Sequence, residues 1–229
     1  DMDGKVADIT GSPFTNPDLL NPGTHSMVIY NRAEGFTFDG RMARVNAPDG
    51  KSRADGASVI PLPGYLKTVS QEITVTADDT LRVNAVPMQR VRDLQLELEV
   101  TQGRPELIQN VTATLSGIAG VFDMEKGQTI GEPTSTVFSF TRDGSKLTAD
   151  ARLLGTMGAV QTLVLDIVFT DGGRTQHTEV DLTEALADFN SDIDYRVTGT
   201  LETPVGMEEG KGEITGWETG DEDDVNVTL

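Results

Sequence analysis

The chain has 229 residues, of which 37% are hydrophobic and 24% charged, a composition typical of a globular protein with one or two cores. Its 18 basic and 37 acidic residues give a net charge of −19, which repels phosphate backbones and argues against nucleic acid as a partner. The absence of cysteine excludes disulfides, zinc–thiolate sites and thiol nucleophiles, and no apolar run reaches the roughly 18 residues that span a membrane.

The first part of the chain predicts four strands. They are SMVIYN at 26–31, GFTFDG at 35–40, QEITVTA at 71–77 and TLRVNAV at 80–86. Breaks rich in glycine, proline and aspartate, such as NPGT, APDG and PLPG, lie between them. Pro87 ends the fourth of these runs.

The second half predicts longer and more regular strands. In LQLELEV one face of the strand is apolar, with Leu94, Leu96, Leu98 and Val100 alternating with polar residues. Similar alternation recurs in NVTATLSG at 110–117, VFSF at 137–140, TLVLDIVF at 162–169, DYRVTGTL at 194–201 and GEITGW at 212–217. The acidic stretch from Thr219 to Asp224 is expected to be a polar turn before a last strand at 225–229.

One short helix is predicted in VDLTEALADFN, where Leu182, Leu186 and Phe189 fall at i, i+4 and i+7. Asp181 is placed to cap its first turn, with Glu184 in the capping-box position. Many strands with one helix indicate an all-β protein built of antiparallel sandwiches. The stretch AVPMQRVRD at 85–93 marks the expected boundary between an N-terminal β-sandwich domain, 1–87, and a C-terminal one, 88–229.

The sequence does not predict an enzyme. Its two histidines belong to no recognisable motif: His25 is expected in a turn entering a strand, and His177 at an exposed strand position. No nucleophile elbow, zinc-protease, phosphate-loop or dinucleotide fingerprint occurs. We therefore predict no catalytic, cofactor-binding or metal-binding residue, and no cofactor.

Calcium binding is a more specific possibility than catalysis. DFNSDID places four oxygen-bearing side chains at alternate positions, as in the first half of an EF-hand loop: Asp188, Asn190, Asp192 and Asp194. The sixth position is Ile193 instead of glycine, and the twelfth is Gly199 instead of glutamate. We favour solvated acids here, and whether Asp188, Asn190 and Asp192 bind calcium stays open at this point.

Glycan binding would need exposed aromatic platforms, for which Trp217, Tyr65 and Phe14 are the candidates. We favour packing roles for all three, because large aromatic side chains mostly serve cores. Asp79-Thr80-Leu81 resembles the O-glycosylation sequon of exported Bacteroidetes proteins. The N-glycosylation pattern NVT at 110–112 and 226–228 falls in strand patterns, so we interpret it as coincidental.

Several segments, in order, resemble one known family. LNPGTHSMVIYNRAEG at 20–35 resembles the N-terminal domain of the fimbrillin-associated anchor lipoproteins of Bacteroidetes, with His25 where those proteins more often have tyrosine. MQRVRDLQLELEVTQG at 88–103 is similar to their step into a long first strand of the second domain. VTATLSGIAGVFD, ARLLG, VDLTEALADFN and ITGWE follow in the expected order, so that the resemblance covers residues 20–220.

The resemblance implies two tandem transthyretin-like Greek-key β-sandwich domains and a non-enzymatic fimbrial or adhesion subunit of the cell surface. It implies partners among other fimbrial subunits, bound by β-strand exchange. It also implies an outer-membrane anchor through a lipidated cysteine. That cysteine is absent from this chain, and because the chain opens on Asp1 we expect it upstream, in a processed precursor. A glycan-binding surface lipoprotein and a calcium-stabilised adhesion module are the alternatives.

Overall fold

The computed structural model describes residues 7–9, 11–16, 19–48, 58–170, 174–203 and 214–220, the last range by its backbone. Within these ranges the chain is all-β, as predicted, with one short 3₁₀ turn at Pro105–Leu107. The strands are β1 Gly23–Tyr30, β2 Phe36–Asp39, β3 Met42–Val45, β4 Lys67–Val75, β5 Met88–Gln89, β6 Arg92–Gln102, β7 Ile108–Ile118, β8 Val121–Asp123, β9 Gln128–Ile130, β10 Thr134–Asp143, β11 Lys146–Leu153, β12 Thr162–Phe169, β13 Thr175–Asp181, β14 Asp194–Glu202 and β15 Ile214–Gly220.

Eight strands of the second half form one hydrogen-bonded order, β13-β12-β7-β10-β11-β6-β14-β15. Only three residue pairs next to the turn of the β10–β11 hairpin join its two halves, so the sheet curls at that hairpin. Both halves bury side chains in one apolar core, as a β-sandwich does. Strand β14 runs parallel to β6 over nine residue pairs, whereas the other ladders of this sheet are antiparallel.

The predicted alternation is confirmed in the long strands. In β6, Leu96 and Leu98 are fully buried, whereas Gln95, which lies between Leu94 and Leu96 along the strand, is exposed. In β12, Leu163 and Ile167 are fully buried, and the opposite face is half-buried. Because side chains alternate between the two faces of a strand, this pattern places one face of each strand in the core.

Two smaller sheets complete the fold. One has the order β1-β4-β5, and the other has the order β2-β3-β8-β9, in which the β3–β8 pairing joins segments on both sides of residue 87. The buried core is likewise continuous from Val28 to Leu201. The division into domains 1–87 and 88–229 stays a prediction, and the two segments that it separates share a sheet and a core.

The predicted helix is replaced by a series of turns over 183–191. The backbone bonds mix an i→i−4 bond, from Leu186 N to Leu182 O, with i→i−3 bonds such as Phe189 N to Leu186 O. The carbonyl of Ala185 accepts the Tyr195 hydroxyl at 3.0 Å. A segment this short depends on tertiary contacts, because an isolated helix of fewer than about 12 residues is marginal in water. The backbone conformation of this segment is therefore determined by the contacts of its side chains.

The three apolar side chains of that segment are buried, and Asp181 binds its first turn, although that turn does not begin a helix. Leu182, Leu186 and Phe189 are fully buried. Asp181 accepts the Thr183 N–H at 2.8 Å, and hydrogen bonds from Thr183 hold the pKa of Asp181 below its usual range. The apolar spacing thus predicted which residues enter the core, although it did not predict the backbone conformation.

Among the other predicted elements, β1, β2 and β4 correspond to three of the four N-terminal strands. The fourth predicted strand, at 80–86, is wrong: these residues have no regular secondary structure and pair with no strand of the described ranges. Strand β15 continues through Gly220, so residues 219 and 220 are not in a turn, while 221–229 lie outside the described residues. In the described ranges no helix has the length and apolarity needed to cross a membrane.

An ionic cluster lies on the outer face of β6 and its two neighbours. Glu97 contacts Lys146 of β11 at 2.8 Å and Arg196 of β14 at 2.5 Å. The hydrogen bonds from Lys146 and then Arg196 lower the pKa of Glu97 below its ordinary 4.5. Because the folded state lowers this pKa, the stabilisation is complete above the unfolded pKa and is lost as the pH falls through the folded pKa.

Glu97→Gln is therefore expected to lower the free energy of unfolding by at most about 1 kcal/mol at pH 7, since both cations are about half exposed. The difference from the parent should shrink as the pH falls below about 4. Urea denaturation at several pH values measures it. Glu179→Gln, at an exposed position of β13, is the control. A loss for Glu97→Gln that is the same at all pH values would contradict this assignment.

Candidate functional site

The two histidines lie in different sheets. His25 is buried in β1, with Nε2 2.8 Å from the carbonyl oxygen of Asn21. His177 is exposed in β13, as predicted, with Nδ1 2.8 Å from Asp166 Oδ1. His25 was expected in a turn that enters a strand, and it is the third residue of β1. The structure therefore does not bring the histidines together into one reactive group.

The segment considered for calcium has a structural role at Asn190. Its side-chain oxygen accepts the Thr156 N–H at 2.9 Å, and its amide nitrogen donates to the Thr156 hydroxyl at 2.9 Å. Its carbonyl oxygen accepts from the Arg92 guanidinium at 2.7 Å. Over the described residues, no three or more His, Asp and Glu side chains are grouped in a way that could hold a metal ion.

Asn190→Ala is expected to lower the free energy of unfolding by about 1–2 kcal/mol, because two side-chain hydrogen bonds to Thr156 are lost. Asp192→Asn, in the same loop, should change it little. Thermal melts with calcium and with a chelator give the readout. A calcium-dependent melting temperature in the parent that is lost in both variants would instead restore the calcium site.

Tyr65 is 39% exposed, and its hydroxyl and its ring both have charged partners. Its hydroxyl donates to the Asp93 carboxylate at 2.8 Å, and the Arg152 guanidinium lies 4.6 Å from its ring centroid. The hydrogen bond to Asp93 raises the pKa of Tyr65. Phe14 is partly exposed, and the side chain of Trp217 lies outside the described residues. Tyr65 therefore connects its loop to β6 and β11, and nothing about its contacts favours a sugar platform.

The sequon Asp79-Thr80-Leu81 is fully accessible. All three residues are exposed, and Asp79 accepts the Thr80 N–H at 2.7 Å. The NVT pattern at 110–112 lies in β7, between β12 and β10, and 226–228 lies outside the described residues. The location of the first NVT in a central strand agrees with our interpretation of it as coincidental.

The most distinctive feature is the outer edge of β4. On one side β4 pairs with β1 along its whole length, from Thr68 to Val75. On the other side β5 pairs only with Lys67 and Thr68. The outer edge from 69 to 75 therefore has no strand partner among the described residues, over a length of about 23 Å. We call these residues the open edge.

The chain after β4 leaves the sheet instead of covering this edge. A turn at Ala77 and Asp78, with Asp78 at φ 58°, leads into residues 81–86, which we call the arm. No backbone–backbone hydrogen bond forms within the arm or from it to any described residue. Its apolar side chains are exposed: 45% for Leu81, 40% for Val83 and 69% for Val86.

The β4–β5 ladder ends at Thr68–Met88, and the next position would set Pro87 opposite Val69. The Arg90 N–H donates to the Leu66 carbonyl on this side of β4, and the Asn31 N–H donates to the Lys67 carbonyl on the other side. Because bonded and non-bonded pairs alternate along an antiparallel ladder, the backbone of Val69 faces β1, and proline at the position opposite costs no ladder bond. The missing N–H of Pro87 therefore does not account for the absence of the strand predicted at 80–86.

The charge of this region is opposite to that of the whole chain. From Thr80 to Arg92 there are three arginines and no acidic residue. Arg90 donates to the Thr68 hydroxyl and lies 5.3 Å from the Phe122 ring centroid, and burial lowers its pKa. Burial, and then the charge of Arg90, lower the pKa of Arg92. Arg82 of the arm is exposed.

The fold is shared with several solved structures. A candidate adhesin from Bacteroides ovatus has a TM-score of 0.61 and 16% identity, over 84% of this chain and 75% of that chain. The fimbrial anchor protein Mfa2 from Porphyromonas gingivalis has a TM-score of 0.58 and 13% identity, over 88% and 76%. A candidate polysaccharide-binding protein from Bacteroides thetaiotaomicron has a TM-score of 0.52 and 10% identity, over 81% and 72%. No family model and no curated protein sequence matches the chain.

Proposed function

We propose that the protein is a non-enzymatic subunit of a cell-surface fimbrial or adhesion structure, which binds neighbouring subunits by β-strand complementation. The observation that carries this proposal is the open edge of β4, residues 69–75. Unpaired backbone groups along a strand are a ready template for another strand. In such a contact the backbone hydrogen bonds supply affinity and alternate side chains supply specificity.

The open edge is less protected than another exposed edge of the fold. Strand β13 ends the large sheet, and its exposed side includes His177, Glu179 and Asp181. Charged residues are a common device that keeps an edge from pairing with other chains. Residues 69–75 carry one charge, at Glu72, and Ile73 is buried on the core side. A partner strand is therefore accepted more readily at β4.

The remaining parts of the proposal rest on the family resemblance, and the shared fold supports them. They are the tandem transthyretin-like organisation, the surface location, and an outer-membrane anchor through a lipidated cysteine that is absent from this chain. Two of the structures that share the fold are a candidate adhesin and a fimbrial anchor protein. The net charge of −19 suits an exposed, soluble surface.

Site-specific photo-crosslinking in the native host tests this function. A photoreactive residue at exposed Thr74 of β4 should crosslink to another surface subunit, identified by mass spectrometry. The control position is Gln95, which is also exposed but lies in β6 between β11 and β14. Recovery of the Thr74 variant without any crosslinked protein, from cells that display it, would overturn the proposal.

A further inference from the structure

We propose that the arm, residues 81–86, closes onto the open edge of its own β4 as a continuation of β5, and that this closed form competes with an incoming strand from another subunit. The inference rests on the proposed use of the β4 edge and adds a means of controlling access to it. The arm is tethered at both ends of that edge. Met88, two residues after the arm, pairs with Thr68, and a turn joins the arm to Val75 at the end of β4.

The register of the closed form is that of the β4–β5 ladder, in which Thr68 pairs with Met88. Continued without a shift, the ladder sets six residues of β4 opposite the six of the arm: Ser70 with Val86, Gln71 with Ala85, Glu72 with Asn84, Ile73 with Val83, Thr74 with Arg82 and Val75 with Leu81. The five residues left between the two strands, 76–80, are within the usual length of a hairpin loop. The arm and the open edge therefore match in length.

The backbone of the arm can supply every hydrogen bond that this ladder needs. The Arg90 N–H donates to the Leu66 carbonyl, and bonded and non-bonded pairs alternate along an antiparallel ladder. The outward N–H and C=O groups of the open edge therefore belong to three residues: Ser70, Glu72 and Thr74. Their partners in the closed form all have a backbone N–H: Val86, Asn84 and Arg82. Pro87 falls opposite Val69, at a non-bonded position where a proline costs no ladder bond.

Closing would also cover apolar side chains of the arm that face solvent in the structure. Val83 would lie directly opposite buried Ile73, at a non-bonded pair, where the side chains of an antiparallel ladder approach most closely. Leu81 would lie on the same face. On the other face Arg82 would lie diagonally opposite Glu72, within reach of a long side chain. A shift by one residue would move Val83 and Leu81 to the face of Glu72, so the side chains favour the same register as the backbone.

The open and closed forms are expected to differ little in free energy. Closing forms backbone hydrogen bonds and apolar contacts, but it orders the six residues of the arm, and these opposing effects are of similar size. A strand from another subunit can therefore displace the arm, whereas in an isolated copy the arm shields the edge from unwanted pairing. Because the open form stays populated, the outward amides of isolated protein still exchange.

Engineered cysteines test the closed form without background, because the chain has none of its own. Gln71→Cys/Ala85→Cys places both side chains at a non-bonded pair, whose Cα separation of about 4.5 Å suits a disulfide. We expect oxidation of dilute protein to form this disulfide within monomers, at least several times faster than in the control Gln71→Cys/Asn84→Cys. The control cysteine is one residue out of register and on the other face. Equal rates in the two variants, or disulfides only between chains, would overturn the inference.

The same variant tests the competition, with the photoreactive residue at Thr74. Crosslinking to other subunits on cells should fall several-fold when the disulfide is formed and recover after mild reduction; unchanged crosslinking would overturn the competition. Absence of the disulfide, while Thr74 still crosslinks to other subunits, would overturn the closed form and leave the proposed function standing. The disulfide at the expected rate, without crosslinking in the reduced protein, would refute the proposed function and the competition and leave the closed form standing. Thermal melts of the reduced variants confirm that each is folded.

Discussion

Replacing Phe189 by alanine is expected to lower the free energy of unfolding by about 3–5 kcal/mol. The ring is fully buried and lies 5.5 Å from the Tyr195 ring in an edge-on arrangement. Removing it leaves a cavity below the turn segment, since two close hydrogen bonds fix Asn190, the next residue, to Thr156. Urea denaturation followed by circular dichroism measures the loss.

The matched control is Phe14→Ala. Phe14 is 37% exposed, so its removal should change the free energy of unfolding by well under half of the Phe189 effect. Equal losses in the two variants would mean that Phe189 does not anchor this segment. The comparison also tests whether turns held by tertiary contacts can be as important to stability as a regular element.

Gly117→Ala is expected to be nearly as damaging, with a loss of about 3 kcal/mol or more. Gly117 has φ 76°, a conformation that costs a residue with a side chain about 1–2 kcal/mol. A Cβ there would also lie 2.2 Å from the carbonyl oxygen of Val160, which is backbone and cannot move aside easily. Unpaired or displaced backbone groups in the interior add to this cost.

Gly144→Ala separates the cost of the backbone conformation from the cost of the close contact. Gly144 has φ 62° but no atom within 4 Å of the position of a Cβ. Its replacement should therefore show the conformational cost alone, about 1–2 kcal/mol. Thermal or urea unfolding of both variants provides the comparison. If Gly117→Ala lost no more than Gly144→Ala, the close approach to Val160 would not matter.

Much of the large sheet could be predicted from local pattern. Leu96 and Leu98 alternate with polar residues, and a strand with one buried face follows directly from that. The helix prediction shows the limit of this reasoning, because Leu182, Leu186 and Phe189 enter the core through turns. Spacing indicates which side chains share a face, while tertiary contacts determine the backbone between them.

Pairings between distant strands could not be predicted. Nothing local to β3 indicates that it pairs with β8, some 80 residues later, or that β14 runs parallel to β6. Such contacts depend on which edges remain after nearer strands have paired. The domain division at residue 87 depends on the same long-range arrangement, so it stays a prediction.

The open edge of β4 could not be located from the sequence. The absence of catalytic motifs indicated a binding or structural role, and the strand exchange implied by the family resemblance stays a prediction. The sequence did not reveal which edge is open, because that depends on a ladder that ends at Thr68 and Met88.

Amide hydrogen exchange along β4 tests the central claim most directly. In dilute isolated protein, the amides of 69–75 that face away from β1 should exchange freely, while the alternate amides bonded to β1 stay protected. In subunits recovered within native assemblies, we expect both sets to be protected, because a partner strand occupies the open edge. Free exchange of the outward amides in assembled subunits would contradict the account.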